Sequence, residues 1–376
     1  KMTVINQLIQ YLRMPKLFIF TLIWMMFLIV IGTLAQSDMG LFAVQKRYFS
    51  SWIIWFWYLP TPGGRLTMLL IFINLSFFIC SKTLWTKDKI GILILHLGGL
   101  LLMIGGGLTA MFSSEGNVVI DEGEKSNFIE DYYYMELAII NTSKDQYDHF
   151  TIFDTPILKA GKILKHQEIP FEVEIISYIE NCEPVKREKP AGLQYKGMMK
   201  NIMLSDLPPL KEENMNRPGL IISLTNTSKS SDGIYGLFLG QIVPQTLKIN
   251  GENFTIVFRK KRTYLPFELE LIDFKKMMHP GTGIAKSYSS DINIIESGIS
   301  KHILIEMNQP LRYKGYTFYQ SSFIESVDGE TTVLATVKNY GRLFPYISSI
   351  IMCFGLLVHL VMKLPKLFKK QMVNYD

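Results

Sequence analysis

The residue best placed to do chemistry in this chain is a histidine surrounded by apolar side chains. His96 is the only ionisable group in residues 90–112, a run otherwise made of Ile, Leu, Gly, Met, Thr, Ala and Phe. An ionisable side chain in hydrocarbon is costly and usually faces protein or a cavity. At about 100° per residue, Ile92, His96, Gly99, Met103 and Gly107 share one helix face. Gly99 lies one turn beyond the imidazole and leaves a flat recess there. Gly91, Gly98 and Gly105 form a second stripe on roughly the opposite face, a spacing that lets helices approach closely. Neutral imidazole is a good iron ligand, and haem is flat and sits well in an apolar slot. His96 is therefore a candidate axial ligand of a haem iron, with Gly99 lining the recess. The competing reading is a neutral imidazole hydrogen-bonded to a neighbouring helix.

An axial pair needs a second ligand from the other side of the ring. Met103 shares the His96 face and does not qualify. His359 is the only His, Lys, Arg, Asp or Glu in the apolar run 343–362. It lies four residues before Lys363, ~6 Å of helix, and His96 lies seven residues after Lys89, ~10 Å. A bis-histidine site within the chain is geometrically thinkable. The alternative for His359 is an interfacial histidine near the headgroups.

These histidines belong to four apolar blocks, residues 17–35, 66–80, 90–112 and 343–362. A bilayer core of ~30 Å takes roughly 20 helical residues. Three blocks meet that length, and the second does so if 81–84 is included. The expected architecture is a membrane protein of α + β class with four transmembrane helices. The first block has features of a signal peptide, but its length and the later spans argue that it is retained. The chain begins at Lys1, not Met, so a few residues are expected to precede it.

Lys1, Arg13, Lys16, Lys82, Lys87, Lys89, Lys363, Lys366, Lys369 and Lys370 flank the blocks on one side, which the positive-inside rule makes cytoplasmic. Both termini are then cytoplasmic, and the long segment between spans three and four is extracytoplasmic. That segment, 113–342, has 26 Lys and Arg against 30 Asp and Glu. The overall charge of +6 thus resides in the membrane flanks, and nothing points to nucleic acid. The expected organisation is 1–36 (N-terminus and first span), 37–64 (outer loop), 65–112 (spans two and three), 113–342 (β-rich domain) and 343–376 (fourth span and basic tail).

Residues 113–342 show alternating strand patterns at 171–179, 220–225, 254–258 and 265–273, separated by turn signals at 232–233, 250–251 and 328–329. They predict a large, sandwich-like β domain. IPFEVEIISY at 169–178 echoes LPFELELIDF at 265–274, which points either to two related modules with a boundary in 184–218 or to convergent strand patterning. The outer loop carries SWIIWFWYLPTPGG at 51–64. Trp52, Trp55, Trp57 and Tyr58 suit an interfacial segment lying in the outer leaflet, with a haem platform as the alternative. Of three cysteines, Cys80 and Cys353 fall at or in spans and Cys182 stands alone in the outer domain, as an ordinary residue or a reactive thiol. There is no C-x-x-C-H motif, so the chain is not itself a c-type cytochrome.

The chain resembles ResB (CcsB), the membrane subunit of System II cytochrome c biogenesis. The resemblance rests on IGTLAQ at 31–36, LHLGG at 95–99, EG at 115–116, DEGE at 121–124, LPF at 265–267, DF at 273–274, PGT at 280–282, SD at 290–291 and MNQPLRYKGYTFYQSS at 307–322. It implies a haem-handling subunit of the bacterial cytoplasmic membrane that works with a CcsA/ResC-type partner and a thioredoxin-like thiol reductant. Together they carry haem b, a non-covalently held cargo, outward and attach it to C-x-x-C-H of apocytochrome c. This subunit is not expected to be catalytic alone.

His96 matches the family's third-span haem ligand. The family's second ligand usually comes from the partner, which argues against His359. Some members fuse both halves. The chain lacks the partner's tryptophan-rich segment, so the resemblance implies a stand-alone subunit or the first half of a fused protein. Tyr313, Tyr316, Phe318 and Tyr319 are either a substrate surface or strand and core residues, since RYKGYTFYQ reads as a hairpin turning at Lys314–Gly315. The reading from a different class is a membrane-anchored scaffold without cofactor, whose outer β domain binds proteins.

Overall fold

The computed structural model describes residues 4–143, 147–189, 191–227, 230–283, 285–326 and 329–373. Lys1, and Asp328 of one expected turn, lie outside them. The chain folds as two units: residues 1–114 with 338–376, and residues 115–337.

The first unit is helical. In α1 (Val4–Leu12) the apolar residues fall on one side and Asn6, Gln7 and Gln10 on the other. Pro15 opens α2 (Pro15–Met39) at a position where its missing N–H costs nothing, and Gly40 ends it at φ 82°. The chain then returns along α2 as α3 (Leu41–Val44) and a π-helical turn, Gln45–Phe49. A hairpin of β1 (Ile53–Phe56) and β2 (Leu59–Pro62) follows, then α4 (Gly64–Ile79).

The hairpin interrupts a single helical rod. The Arg65 amide donates to the Ser51 carbonyl at 3.2 Å, where an unbroken helix would use the carbonyl four residues back. A Cβ on Gly64 would lie 2.5 Å from the Phe49 oxygen, so only glycine lets the two pieces stack this closely. The outer loop expected at 37–64 is therefore mostly ordered helix and hairpin.

Helix α5 (Ile90–Phe112) and helix α6 (Phe344–Val373) pack along the expected glycine stripe. A Cβ on Gly91 would lie 2.5 Å from the His359 amide nitrogen. On Gly98 it would lie 2.6 Å from Met352 Cγ, and on Gly105 2.1 Å from Phe344 Cβ. Among the described residues, three helices are long and apolar enough to cross a membrane: Pro15–Met39, Lys87–Phe112 and Phe344–Leu364. The expectation that the second block becomes a full span by including 81–84 fails, because α4 stops at Ile79 and 81–84 form turns. Sixteen residues of α4 reach only ~24 Å.

Among its described residues, the regular elements of the second unit are β-strands and short 3₁₀ turns. Its strands are β3 (Ser114–Asp121), β4 (Lys125–Asn141), β5 (His149–Asp154), β6 (Ile163–Leu164), β7 (Glu172–Ile179), β8 (Cys182–Lys186) and β9 (Ile202–Asp206). Then come β10 (Gly219–Thr225), β11 (Gly233–Phe238), β12 (Gln245–Ile249), β13 (Glu252–Met278), β14 (Ala285–Glu296), β15 (Ile299–Glu306), β16 (Leu311–Tyr313), β17 (Tyr316–Ser326) and β18 (Gly329–Lys338).

One small sheet runs β11-β10-β7-β6. The large sheet runs β15-β14-β13-β4-β3-β18-β17-β16, with β12 beside β13 and β5 beside β4. The small sheet packs on the β5-β4-β13-β12 end, and alternate residues of both faces, among them Leu137, Val173, Ile222 and Phe254, form the first core. The rest of the large sheet curls until β15 touches β16 and β17, enclosing a second core of Val118, Leu269, Ile292, Phe318 and Leu334.

The domain thus has two cores, but the boundary expected in 184–218 does not divide them. That stretch holds most of the β8–β9 hairpin, over a small cluster of Ile179, Cys182, Met199 and Leu204. The cores are joined because β4 and β13 each run through both. Ile129 and Leu265–Leu271 serve the second core, while Met135–Ile139 and Phe254–Phe258 serve the first. The two echoing segments sit one in each core. Pro266 lies where the β13–β4 register breaks between Tyr264 and Leu269, so its missing N–H removes no ladder bond.

Candidate functional site

His96 sits on α5 facing α4. Its Nδ1 lies 2.7 Å from the Ile92 carbonyl oxygen one turn back. A carbonyl can only accept, so the neutral ring carries its proton on Nδ1 and leaves the Nε2 lone pair free. Among the described residues Nε2 has no hydrogen-bond partner. Phe78 of α4 leans on the imidazole, with ring centroids 5.2 Å apart and planes tilted by 54°. The ring is held from two directions with its basic nitrogen open, the state a neutral metal ligand requires.

Beside it Gly99 is relieved of close neighbours. A Cβ there would meet only Leu75 Cδ2, at 3.9 Å, and Cβ atoms on Gly106 and Gly107 would meet nothing within 4 Å. The face therefore has free room along its glycines, while Gly91, Gly98 and Gly105 have none.

His359 belongs to a different face. Its backbone packs on Gly91, which is five residues from His96 and so turned about 140° from it. Its Nδ1 is buried without a hydrogen-bond partner. The structure brings His96 together with Leu75 and Phe78, and does not bring His359 to that face.

Sequence reasoning missed Phe78 and Asn74. Phe78 gives no signal within an apolar block. Asn74 does, as a lone amide in a hydrophobic helix. Its Nδ2 donates to the Leu12 carbonyl at 2.6 Å and to the Met14 carbonyl at 3.1 Å, tying the α1–α2 corner to α4 one turn from Phe78.

In the β domain the signature residues are structural. Strands β16 and β17 pair with Tyr313 opposite Tyr316, and the turn at Lys314–Gly315 takes φ 46° and 83°, the two-residue hairpin expected. Tyr316 and Phe318 are buried against Phe267 of LPF. Tyr313 donates to Glu296 at 2.6 Å, and only Tyr319 is exposed. Ser290, Gln320 and Thr332 form a buried hydrogen-bonded triad: Ser290 Oγ lies 2.7 Å from Gln320 Oε1 and 2.8 Å from Thr332 Oγ1, and Gln320 Nε2 donates to Thr332 at 2.9 Å. Cys182 is buried, and desolvation pushes its thiol up to about 11, which makes it an ordinary core residue rather than a reactive one.

Helices long and apolar enough to cross a membrane, together with a large domain of strands shared between two cores, are the features of a membrane protein with a β-rich domain. Residues 232–339 match the ResB-like family. That segment belongs to the family whose motifs the sequence carries. Protein NrfI of Wolinella succinogenes is 22% identical over 273 residues, 71% of this chain and 27% of the relative. The chain spans about a quarter of that protein's length.

Proposed function

We propose that this chain is a haem-handling membrane subunit in cytochrome c biogenesis. With a CcsA/ResC-type partner it would move haem across the membrane and present it for attachment to C-x-x-C-H of apocytochrome c. The observation that carries this reading is His96: an imidazole with Nδ1 on the Ile92 carbonyl and Phe78 against its ring, and with Nε2 open beside a glycine-lined face. His96 would supply one axial ligand and the partner the other. Haem here is cargo, so a site that binds from one side and completes its coordination with a second protein suits transfer better than storage.

In this reading α2, the rod of α3 and α4, α5 and α6 are the four spans. The end bearing Arg13, Lys16, Lys82, Lys87, Lys89 and Lys363 is cytoplasmic, and residues 115–337 lie outside. The test is the absorption spectrum of the chain purified with its partner. A haem Soret band is expected. His96→Gly should weaken or abolish it, and added imidazole should restore it. A blank spectrum from haem-replete cells, with His96→Leu tolerated, would leave the scaffold reading in its place.

A further inference from the structure

The first helix presents an apolar stripe that the described residues leave open. At about 100° per residue, the six apolar residues of α1 span an arc of about 160°, and Asn6, Gln7 and Gln10 fill the opposite side. Helix α4 packs on α1, and Ile9 and Leu12 at one edge of the arc are half-buried. At the other edge Val4, Leu8 and Tyr11 are 81%, 58% and 66% exposed. A helix of nine residues does not hold in water by its own backbone bonds, so the open stripe calls for a cover.

The place of α1 in the helical unit says what that cover is. Only Arg13 and Met14 join it to α2, a helix fit to cross a membrane, and Met14 is extended at φ −68° and ψ 133°, so α1 leaves the α2 axis. Asn74 holds the Leu12 and Met14 carbonyls, five residues short of the end of α4 at Ile79, which is about 8 Å along that axis. Interfacial helices bury their apolar face about 5–10 Å into the boundary of headgroups and acyl chains, the same depth. Just beyond α4, Trp85 is exposed with its indole on the Ile79 carbonyl at 2.8 Å, a side chain suited to the membrane surface. Charge agrees. Residues 1–37 contain no Asp or Glu, and Arg13 and Lys16 at the corner are exposed. A second copy docked on the same patch would set these cations against their own counterparts, whereas lipid phosphate neutralises them.

We infer that α1 is an interfacial helix that binds anionic phospholipid in the cytoplasmic leaflet. Val4, Leu8 and Tyr11 lie among the acyl chains, and Arg13 and Lys16 meet the phosphates. This rests on the spanning reading above, in which the basic end of the helical unit is cytoplasmic.

The test irradiates the full chain in the membranes of the expressing cell, with a benzophenone amino acid at Leu8, at Gln10 on the polar side, or at Ile350, which is 70% exposed on α6. Light should add a lipid mass at positions 8 and 350 and several-fold less at position 10. Native mass spectrometry of the chain in mixed phosphatidylglycerol and phosphatidylcholine then reads the headgroup. Arg13→Gln and Lys16→Gln touch no packed residue and should lower retained phosphatidylglycerol about fivefold for each cation lost, with phosphatidylcholine unchanged. If position 350 joins lipid but position 8 joins a second copy, another protein or nothing, the assignment of α1 is overturned and the spanning reading stands. Equal retention of phosphatidylglycerol by the unaltered chain and the double variant overturns the anionic site. If position 350 also fails to join lipid, both readings fall.

Discussion

Phe78 and His96 meet with ring centroids 5.2 Å apart, so the aromatic ring of one helix sets the orientation of the imidazole on the next. Phe78→Ala should leave the Ile92 hydrogen bond in place and free the ring to rock about it. Under the haem-handling role proposed above, the expected outcome is a broadened or shifted Soret band and faster haem loss from the partnered complex, with Phe78→Leu intermediate. Visible spectroscopy and transfer of haem to an apo-globin would measure both.

The two kinds of glycine in α5 should respond oppositely to alanine. Gly91→Ala places a Cβ 2.5 Å from backbone of α6, where no side chain can swing away. It should lower the melting temperature and part the helices. Gly106→Ala meets nothing and should be neutral, or gain about 0.5–1 kcal/mol from reduced backbone freedom. Thermal unfolding in detergent distinguishes them.

Asn74 answers two carbonyls at the α1–α2 corner. Asn74→Leu keeps the volume and removes the donor, which should cost about 1–3 kcal/mol. Because Phe78 is one turn away, the same variant should also disturb the His96 spectrum, whereas Thr67→Val, further along α4, should not.

The Cys182 thiol should resist maleimide at neutral pH and react only when the domain unfolds. Its pKa rises from 9.0 to about 11 on folding. The folded state therefore holds its proton where the unfolded state has lost it. The stabilising contribution is whole below pH 9 and declines as pH rises from 9 toward about 11. Cys182→Ala should flatten that part of the pH–stability curve.

Thr332→Val should strip the buried triad of its shared hydroxyl and leave Ser290 and Gln320 short of partners, at a cost of about 1–3 kcal/mol. Denaturation of the full chain, followed by its β signal, would report the loss.

What sequence could convey depended on whether neighbours in the chain are neighbours in space. The glycine stripe of α5, the turn at Lys314–Gly315 and the strand alternation around Leu265 are local patterns, and each was legible. The bond from Arg65 to Ser51 was not, because it closes over an inserted hairpin and leaves no period. The placing of Phe78 on His96 was equally hidden, since an apolar residue in an apolar block carries no address. The repeated I/L-P-F-E pattern did fall on strands of two different cores, one at β7 and one in β13. The inferred boundary failed because linkers and long connections look alike in composition, and the true joints are strands shared by both cores.

Those shared strands have a mechanical consequence. Strands β4 and β13 each run through both cores, although their pairing is interrupted between Lys260 and Arg262 and between Tyr264 and Leu269. Heat or force that loosens one end must unzip the same pair of ribbons that steadies the other. The β unit is therefore expected to give a single calorimetric peak and a single rip under tension, and a torque applied near Ser126 should be felt at Asn141.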